Sequence, residues 1–403
     1  MKKNLLLIHL ESVNILNYSL NKKLFPFLSE IESNCVFFNK FFSTATSTLM
    51  VIGDLMYGDM GQYESLETLN ESDGPSSYKH TVSIFDELKK DGYDTGIYIY
   101  PDGAGREAAE RRHLAGFQHK MELIRDYDEY LAAFEKKMDN PPFALMACNY
   151  ISNIGFNFHL DISNYSLDTG LLEAGYRELD TCCRDLFKIL SSKDLLQDTI
   201  VIFYGDHGDD YWGHGLHSGW AHSIEPNSLQ IHTPLMVWDG QKREKTEHRD
   251  ILLQTTDLSS IIRSVFKDGE IDYPINRKYS FSRNAYAAQP IREDSFNKAY
   301  SVTDGRYLLM VSCRGLELYD MMFDPACINN LLRFFSYNQD VLKITTEWKY
   351  HLGVYLNRRE QRIIRQKFYE LKKILYEKTA ESYSAGGFSS ETMSREMNFN
   401  KIA

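Results

Sequence analysis

Short apolar runs and amphipathic stretches alternate along most of this 403-residue chain. Residues 4–10, 95–100, 143–149 and 199–204 are aliphatic, β-branched or aromatic runs bounded by polar residues, the pattern of strands buried on both faces. Between them, residues 25–33, 80–90, 127–138 and 171–190 carry apolar positions at helical spacing, and Asp91-Gly92 closes one of these runs. Strand and helix in repeated alternation predict an α/β fold, a central and mostly parallel sheet with helices on both faces. The pattern changes after about residue 275. Residues 299–303 and 306–312 flank Asp304-Gly305, a strong hairpin signal, and residues 339–384 turn helical. The expected organisation is a large domain over 1–275, a small α+β subdomain over 276–335, a helical extension over 336–384 and a loose tail over 385–403.

Charge narrows the partners. With 45 Lys and Arg against 56 Asp and Glu the net charge is −11, which argues against nucleic acid as the main partner. The six cysteines show no CxxC spacing and read as reduced, mostly buried thiols. The opening apolar run is too short for a signal peptide and is interrupted by His9, and nothing approaches the roughly 18 to 20 apolar residues of a membrane span. The expectation is a soluble, cytoplasmic protein. Its basic C-terminal helix reads as a solvated or packing helix, with a membrane-surface or homo-oligomer contact as the alternative.

Chemistry concentrates between residues 204 and 238, which hold five of the twelve histidines, at 207, 214, 217, 222 and 232. Asp206 and His207 follow the strand at 199–204, and in open α/β sheets the ligand crevice lies outside the C-terminal strand ends, so a carboxylate beside an imidazole there is well placed to hold a metal. Glu11 follows the first strand, where an unpaired buried carboxylate would be costly. Ser43, Thr44, Thr46, Ser47 and Thr48 form a hydroxyl cluster before an apolar run. Such clusters usually cap helices, but a helix N-terminus also suits an incoming phosphate or sulfate, and a threonine held by a metal can attack an ester. Arg106, Arg111 and Arg112 follow the strand at 95–100. Their guanidinium forks suit phosphate or sulfate, although the same spacing makes a solvated helix face.

These residues carry a resemblance. Residues 5–12, Leu-Leu-Leu-Ile-His-Leu-Glu-Ser, resemble the first strand and metal-binding glutamate of the alkaline phosphatase/sulfatase superfamily, in particular its branch of lipoteichoic acid synthases and phosphoethanolamine transferases. Gly205-Asp206-His207-Gly208 resembles the superfamily's Asp-His metal pair. Leu216-His217, Ile224-Glu225-Pro226 and Gln230-Ile231-His232-Thr233-Pro234 through Trp238 resemble the transferases' downstream motifs, while Thr256-Asp257-Leu258, Glu317 to Asp320 and Asp324-Pro325 to Asn330-Leu331 resemble the sulfatase C-terminal region. The likeness spans roughly residues 4 to 335.

It implies an alkaline phosphatase-like fold and one divalent metal ion (Zn, Mn, Mg or Ca), with room for a second. Glu11, Asp206 and His207 would hold the ion together with a threonine nucleophile. A serine three residues after the nucleophile is common in the superfamily, which selects Thr44, with Thr46 as runner-up. His217, His232, His159 and Arg112 are the candidate substrate contacts. The implied activity is hydrolysis or transfer of a phosphate ester through a phospho-threonine, on a phosphorylated small molecule, glycan or lipid headgroup. The alternatives are a sulfatase, disfavoured because residues 43–48 lack the Cys/Ser-x-Pro-x-Arg context that formylglycine needs, and an inactive metal- or glycan-binding homologue.

Overall fold

The computed structural model describes residues 2–61, 82–100, 121–152, 169–210, 225–241, 247–268, 271–273, 277–284, 298–338, 341–344, 357–385 and 389–403. Among them, nine strands build the central sheet: β1 (Asn4–Leu10), β2 (Val36–Phe42), β3 (Asp94–Tyr100), β4 (Met121–Leu123), β5 (Phe143–Asn149), β6 (Thr199–Gly205), β7 (His232–Asp239), β8 (Glu247–Arg249) and β9 (Leu253–Gln254). Their order is β4-β3-β5-β1-β6-β7-β2-β8, with β9 also on β2. Strands β4, β3, β5, β1 and β6 run parallel. β7 is antiparallel to both β6 and β2.

Strand β1 is buried along its whole length, as its unbroken apolar run requires. Leu5 and Leu7 pack with Val51, Ile52 and Leu55 of the helix Thr48–Tyr57 and with Leu258, Ile261 and Ile262 of the helix Asp257–Asp268. Leu6, Ile8 and Leu10 face the other way, onto Leu28 and Ile31, Tyr130 and Phe134, and Leu179 and Leu186, from the helices Pro26–Glu32, Tyr127–Met138 and Thr169–Ser192. Helices therefore cover both faces, as expected. Side chains alternate along a strand, so His9 lies on the Leu5 and Leu7 side, and Glu11 continues that side beyond the strand end. In β6, Ile200, Ile202 and Tyr204 share this side, and Asp206 continues it.

The C-terminal region is a four-stranded antiparallel sheet of β10 (Ser280–Arg283), β11 (Ala299–Thr303), β12 (Tyr307–Ser312) and β13 (Gly315–Asp320). The expected hairpin is β11 and β12, and Gly305 at φ 90° takes the left-handed turn conformation that glycine adopts without a Cβ penalty. The helix Arg358–Ala385 lays Ile364, Phe368, Leu371 and Leu375 against this sheet, sharing a core with Val302, Leu309 and Val311. The apolar stripe that a membrane-lying helix would bury is thus already buried in protein.

Two expectations fail here. Residues 341–344 are a strand, β15 (Val341–Ile344), paired with β14 (Phe335–Asn338) rather than helical; two β-branched residues in four favour a pleated ribbon there. The C-terminal tail is docked rather than loose. Its helix Ser390–Glu396 is capped by the Ser389 side chain, Met393, Met397 and Phe399 are buried in the C-terminal core, and Leu316 N donates to the Lys401 carbonyl at 2.8 Å. No described helix is long and apolar enough to cross a membrane.

Candidate metal centre

The C-terminal ends of β1 and β6 lie side by side, Leu10 opposite Gly205, so the residues that follow each strand emerge together. At Ser12 the chain turns through a left-handed conformation, φ 57°, and Ser12 N donates to Asp206 Oδ1 at 3.2 Å while its Oγ donates to Glu11 Oε1 at 3.2 Å. Both carboxylates are fully buried. The Asp206-His207 turn depends on Gly208, whose N–H donates to the Gln230 carbonyl; a Cβ there would stand 2.0 Å from the Leu229 carbonyl oxygen.

Five side-chain atoms close a ring on the sheet face shared with the helix Thr48–Tyr57. His9 Nε2 is 3.2 Å from Glu11 Oε2, and Glu11 Oε2 is 3.3 Å from Thr48 Oγ1. Thr48 Oγ1 is 3.0 Å from His207 Nε2, His207 Nε2 is 3.1 Å from Asp206 Oδ2, and Asp206 Oδ2 is 3.0 Å from His9 Nε2. The Nδ1 of His207 lies 3.2 Å from the Gly208 carbonyl. A proton on Nδ1 serves that bond and leaves the Nε2 lone pair facing the ring.

Electrostatics in this pocket call for positive charge. Burial works against a protonated His9, but the Asp206 and Glu11 carboxylates outweigh it and push its pKa up to about 10. Burial likewise opposes ionisation of Asp206, yet His207 and His9 hold it well below the usual carboxylate range.

The arrangement fits a divalent cation. Asp206 Oδ2 and His9 Nε2 are both buried and make no aligned hydrogen bond, although they stand at contact distance. Two donors that are each about 2.1 Å from one ion, at angles of about 90 to 105°, lie about 3.0 to 3.3 Å apart, which is the spacing around this ring. Suitable donor atoms of His9, Glu11 and Asp206 all lie within 4.8 Å of one another.

Thr44, the threonine favoured from sequence, is elsewhere. Its hydroxyl donates to Asp54 Oδ2 at 2.6 Å, and Asp54 is held by a two-pronged ion pair from the buried Arg283 of β10, Nη1 to Oδ2 at 2.8 Å and Nη2 to Oδ1 at 3.0 Å. Thr46 is buried, and its N–H donates to the Arg283 carbonyl at 3.2 Å. The hydroxyl that reaches Glu11 and His207 belongs to Thr48, the first residue of its helix, and the preceding Ser47 makes no side-chain cap. His232 is also turned away. Its Nε2 donates to the Asn39 carbonyl at 2.8 Å and its ring stacks on Phe42 at 4.5 Å. His159, His217 and Arg112, with Arg106 and Arg111, lie outside the described residues.

His9 and Thr48 complete the ring beyond the residues expected from sequence. Both had a signal. His9 and Glu11 are two positions apart at a strand end, hence on one side. Thr48 is the last hydroxyl before the apolar run, where a helix with a free N-terminus begins.

Residues 172–260 match the sulfatase family model. A comparison with curated proteins finds no match. Among solved structures, the chain is similar to a 2-O GAG sulfatase, at 16% identity over 91% of this chain and 93% of that one with a TM-score of 0.58. It is similar to the lipoteichoic acid synthase LtaP from Listeria monocytogenes, at 15% identity over 76% of this chain and 81% of that one with a TM-score of 0.54. A protein in the alkaline phosphatase superfamily from Vibrio parahaemolyticus aligns at 16% identity over 82% of each chain with a TM-score of 0.56.

Proposed function

From the premise that this chain has the alkaline phosphatase/sulfatase fold, with a sulfatase-family match over residues 172–260, we propose that it is a metal-dependent phosphoester hydrolase or transferase whose nucleophile is Thr48. The observation that carries the reading is the ring itself, in which Thr48 Oγ1 touches both Glu11 Oε2 and His207 Nε2. Glu11, Asp206, His207 and Thr48 would hold one divalent ion. When bound, the ion supplies the positive charge that favours the threonine alkoxide and neutralises the phosphate oxygens.

The residues do the rest. Thr48 starts a ten-residue helix, and the first-turn N–H groups and positive dipole end of such a helix would favour a phosphate at its hydroxyl. His207 Nε2 would give its lone pair to the ion, which leaves the Glu11 carboxylate as the acceptor within reach of the hydroxyl proton. Attack of Oγ1 on phosphorus forms the Thr48 phosphoester and breaks the bond to the leaving alkoxide. Water then gives hydrolysis, and an alcohol gives transfer. Phosphate is preferred over sulfate because the residue at the ring is threonine, whereas formylglycine is made from cysteine or serine. The motifs after His207 favour a phosphodiester or headgroup substrate of the lipoteichoic acid synthase type.

The test is turnover of phosphodiester, phosphomonoester and sulfate-ester chromogenic substrates at saturating metal. Thr48→Ala should lower phosphoesterase turnover by on the order of 10³-fold or more, with the fold intact. Thr44→Ala should cost less than about tenfold, because its hydroxyl supports Asp54 rather than the ring. Equal losses in the two variants, or sulfatase turnover alone, would refute the reading.

A further inference from the structure

His9 has no place in the ligand set implied by the resemblance, and its surroundings say what it is for. It sits within β1, locked in register between Cys148 of β5 and Tyr204 of β6. Its ring is fully buried and flanked by Tyr150 edge-on at 5.9 Å and Tyr204 at 5.8 Å. The ring is therefore positioned before any ligand arrives. Nε2 is the corner of the pentagon between the two carboxylates, 3.0 Å from Asp206 Oδ2 and 3.2 Å from Glu11 Oε2.

A plain hydrogen-bonding role, for a neutral ring or for the imidazolium that the two carboxylates favour, would aim an N–H at one of those oxygens. Neither nitrogen of His9 has an aligned acceptor, and neither does Asp206 Oδ2 have an aligned donor. A neutral ring presenting the Nε2 lone pair to a cation accounts for the contact distances without alignment. Resting on the metal-centre reading above, we infer that His9 is a direct, fifth protein ligand and that this second imidazole sets the site's preference for a borderline transition ion over Ca2+ and Mg2+.

The chemical reason is donor softness. Carboxylate, hydroxyl and water donors suit Mg2+ and Ca2+, while imidazole suits Zn2+, Co2+, Ni2+ and Fe2+. One histidine among oxygen donors leaves the choice open. Two imidazoles, His9 and His207, beside two carboxylates and a hydroxyl tilt it toward the borderline ions. Binding displaces any proton from His9 Nε2, so the nitrogen donates its lone pair and the proton leaves to solvent.

The test uses the full chain stripped of metal, with Zn2+, Co2+, Ca2+ and Mg2+ as probes. In competition titrations, wild type should prefer Zn2+ and Co2+. His9→Gln should lose more than roughly 100-fold in affinity for those two ions, beyond the 10- to 100-fold typical of losing a supporting partner, while Ca2+ affinity changes little. The visible spectrum of the Co2+ form should change in position and intensity with the lost nitrogen donor. Unchanged selectivity, or weaker binding with an unchanged Co2+ spectrum, overturns the ligand assignment. If His9→Gln fails to fold, X-ray absorption of wild-type Zn2+ protein decides by counting imidazoles, with two expected and one fatal. Two imidazoles in a protein without phosphoester turnover would leave this inference standing and remove the function proposed above; one imidazole in an active enzyme would do the reverse.

Discussion

Two threonines four residues apart, Thr44 and Thr48, each place a hydroxyl on a buried carboxylate, Asp54 and Glu11, and Asp54 is held by a guanidinium. At Asp54 both oxygens are taken by Arg283, which also donates to the Thr44 and Gly61 carbonyls. At the ring, Glu11 and Asp206 face imidazoles and the Thr48 hydroxyl. The first site is a completed ion pair that ties the helix Thr48–Tyr57 to β10 of the C-terminal sheet. The second draws acidic and imidazole groups toward one point that a cation would satisfy. A threonine beside a carboxylate is thus a nucleophile candidate where imidazoles and carboxylates converge on one point, and a structural strut where a guanidinium closes the pair.

This contrast can be broken most forcefully at Arg283. Arg283→Met should leave Asp54 as an uncompensated buried charge and cost about 3 to 5 kcal/mol, seen as a lowered denaturation midpoint that added metal does not selectively repair. The ring should respond in the opposite sense. Stripping metal from wild type with a chelator should lower its stability, and restoring the ion at a hundredfold excess over its Kd should return about 2.7 kcal/mol. A thermal shift indifferent to metal would refute the claim that the ring holds a cation.

A smaller effect is expected at the turn that aims Asp206 and His207. Gly208→Ala must push the Leu229 carbonyl aside, since its Cβ would lie 2.0 Å from that oxygen. The expected cost is about 1 to 3 kcal/mol, together with weaker metal binding in the folded protein. Smaller still is His232, whose part is the Asn39 hydrogen bond. Burial pushes its pKa down to about 4, so the folded state favours the neutral ring. That contribution is full above pH 6.5 and fades as pH falls toward 4. His232→Phe should therefore leave metal affinity unchanged, and its stability deficit against wild type should shrink over that window. A deficit that grows on acidification would contradict this.

Much of the scaffold was legible because it follows from local periodicity. The runs at 4–10, 143–149 and 199–204 became β1, β5 and β6, and their alternation alone puts His9 and Asp206 on the side of the helix Thr48–Tyr57. The choice among the hydroxyls at 43–48 was only partly legible, since the serine spacing favours Thr44 while the start of the apolar run favours Thr48. It depends on how that loop is anchored, Ser43 N to the Ile231 carbonyl and Thr46 N to the Arg283 carbonyl, by partners far away in sequence. The docked tail was missed for the same reason. Met393, Met397 and Phe399 look like an unpatterned end until the C-terminal sheet and the helix Arg358–Ala385 provide the surface they cover.

Anomalous diffraction from crystals of the wild-type chain equilibrated with Zn2+ or Mn2+ would locate the ion at the ring or away from it. One strong peak is expected, bounded by Glu11, Asp206 and His207, with Thr48 Oγ1 at bonding distance, about 2.0 to 2.3 Å. A peak against Asp54 and Thr44, or an ion in the ring that leaves the Thr48 hydroxyl out of reach, would contradict it.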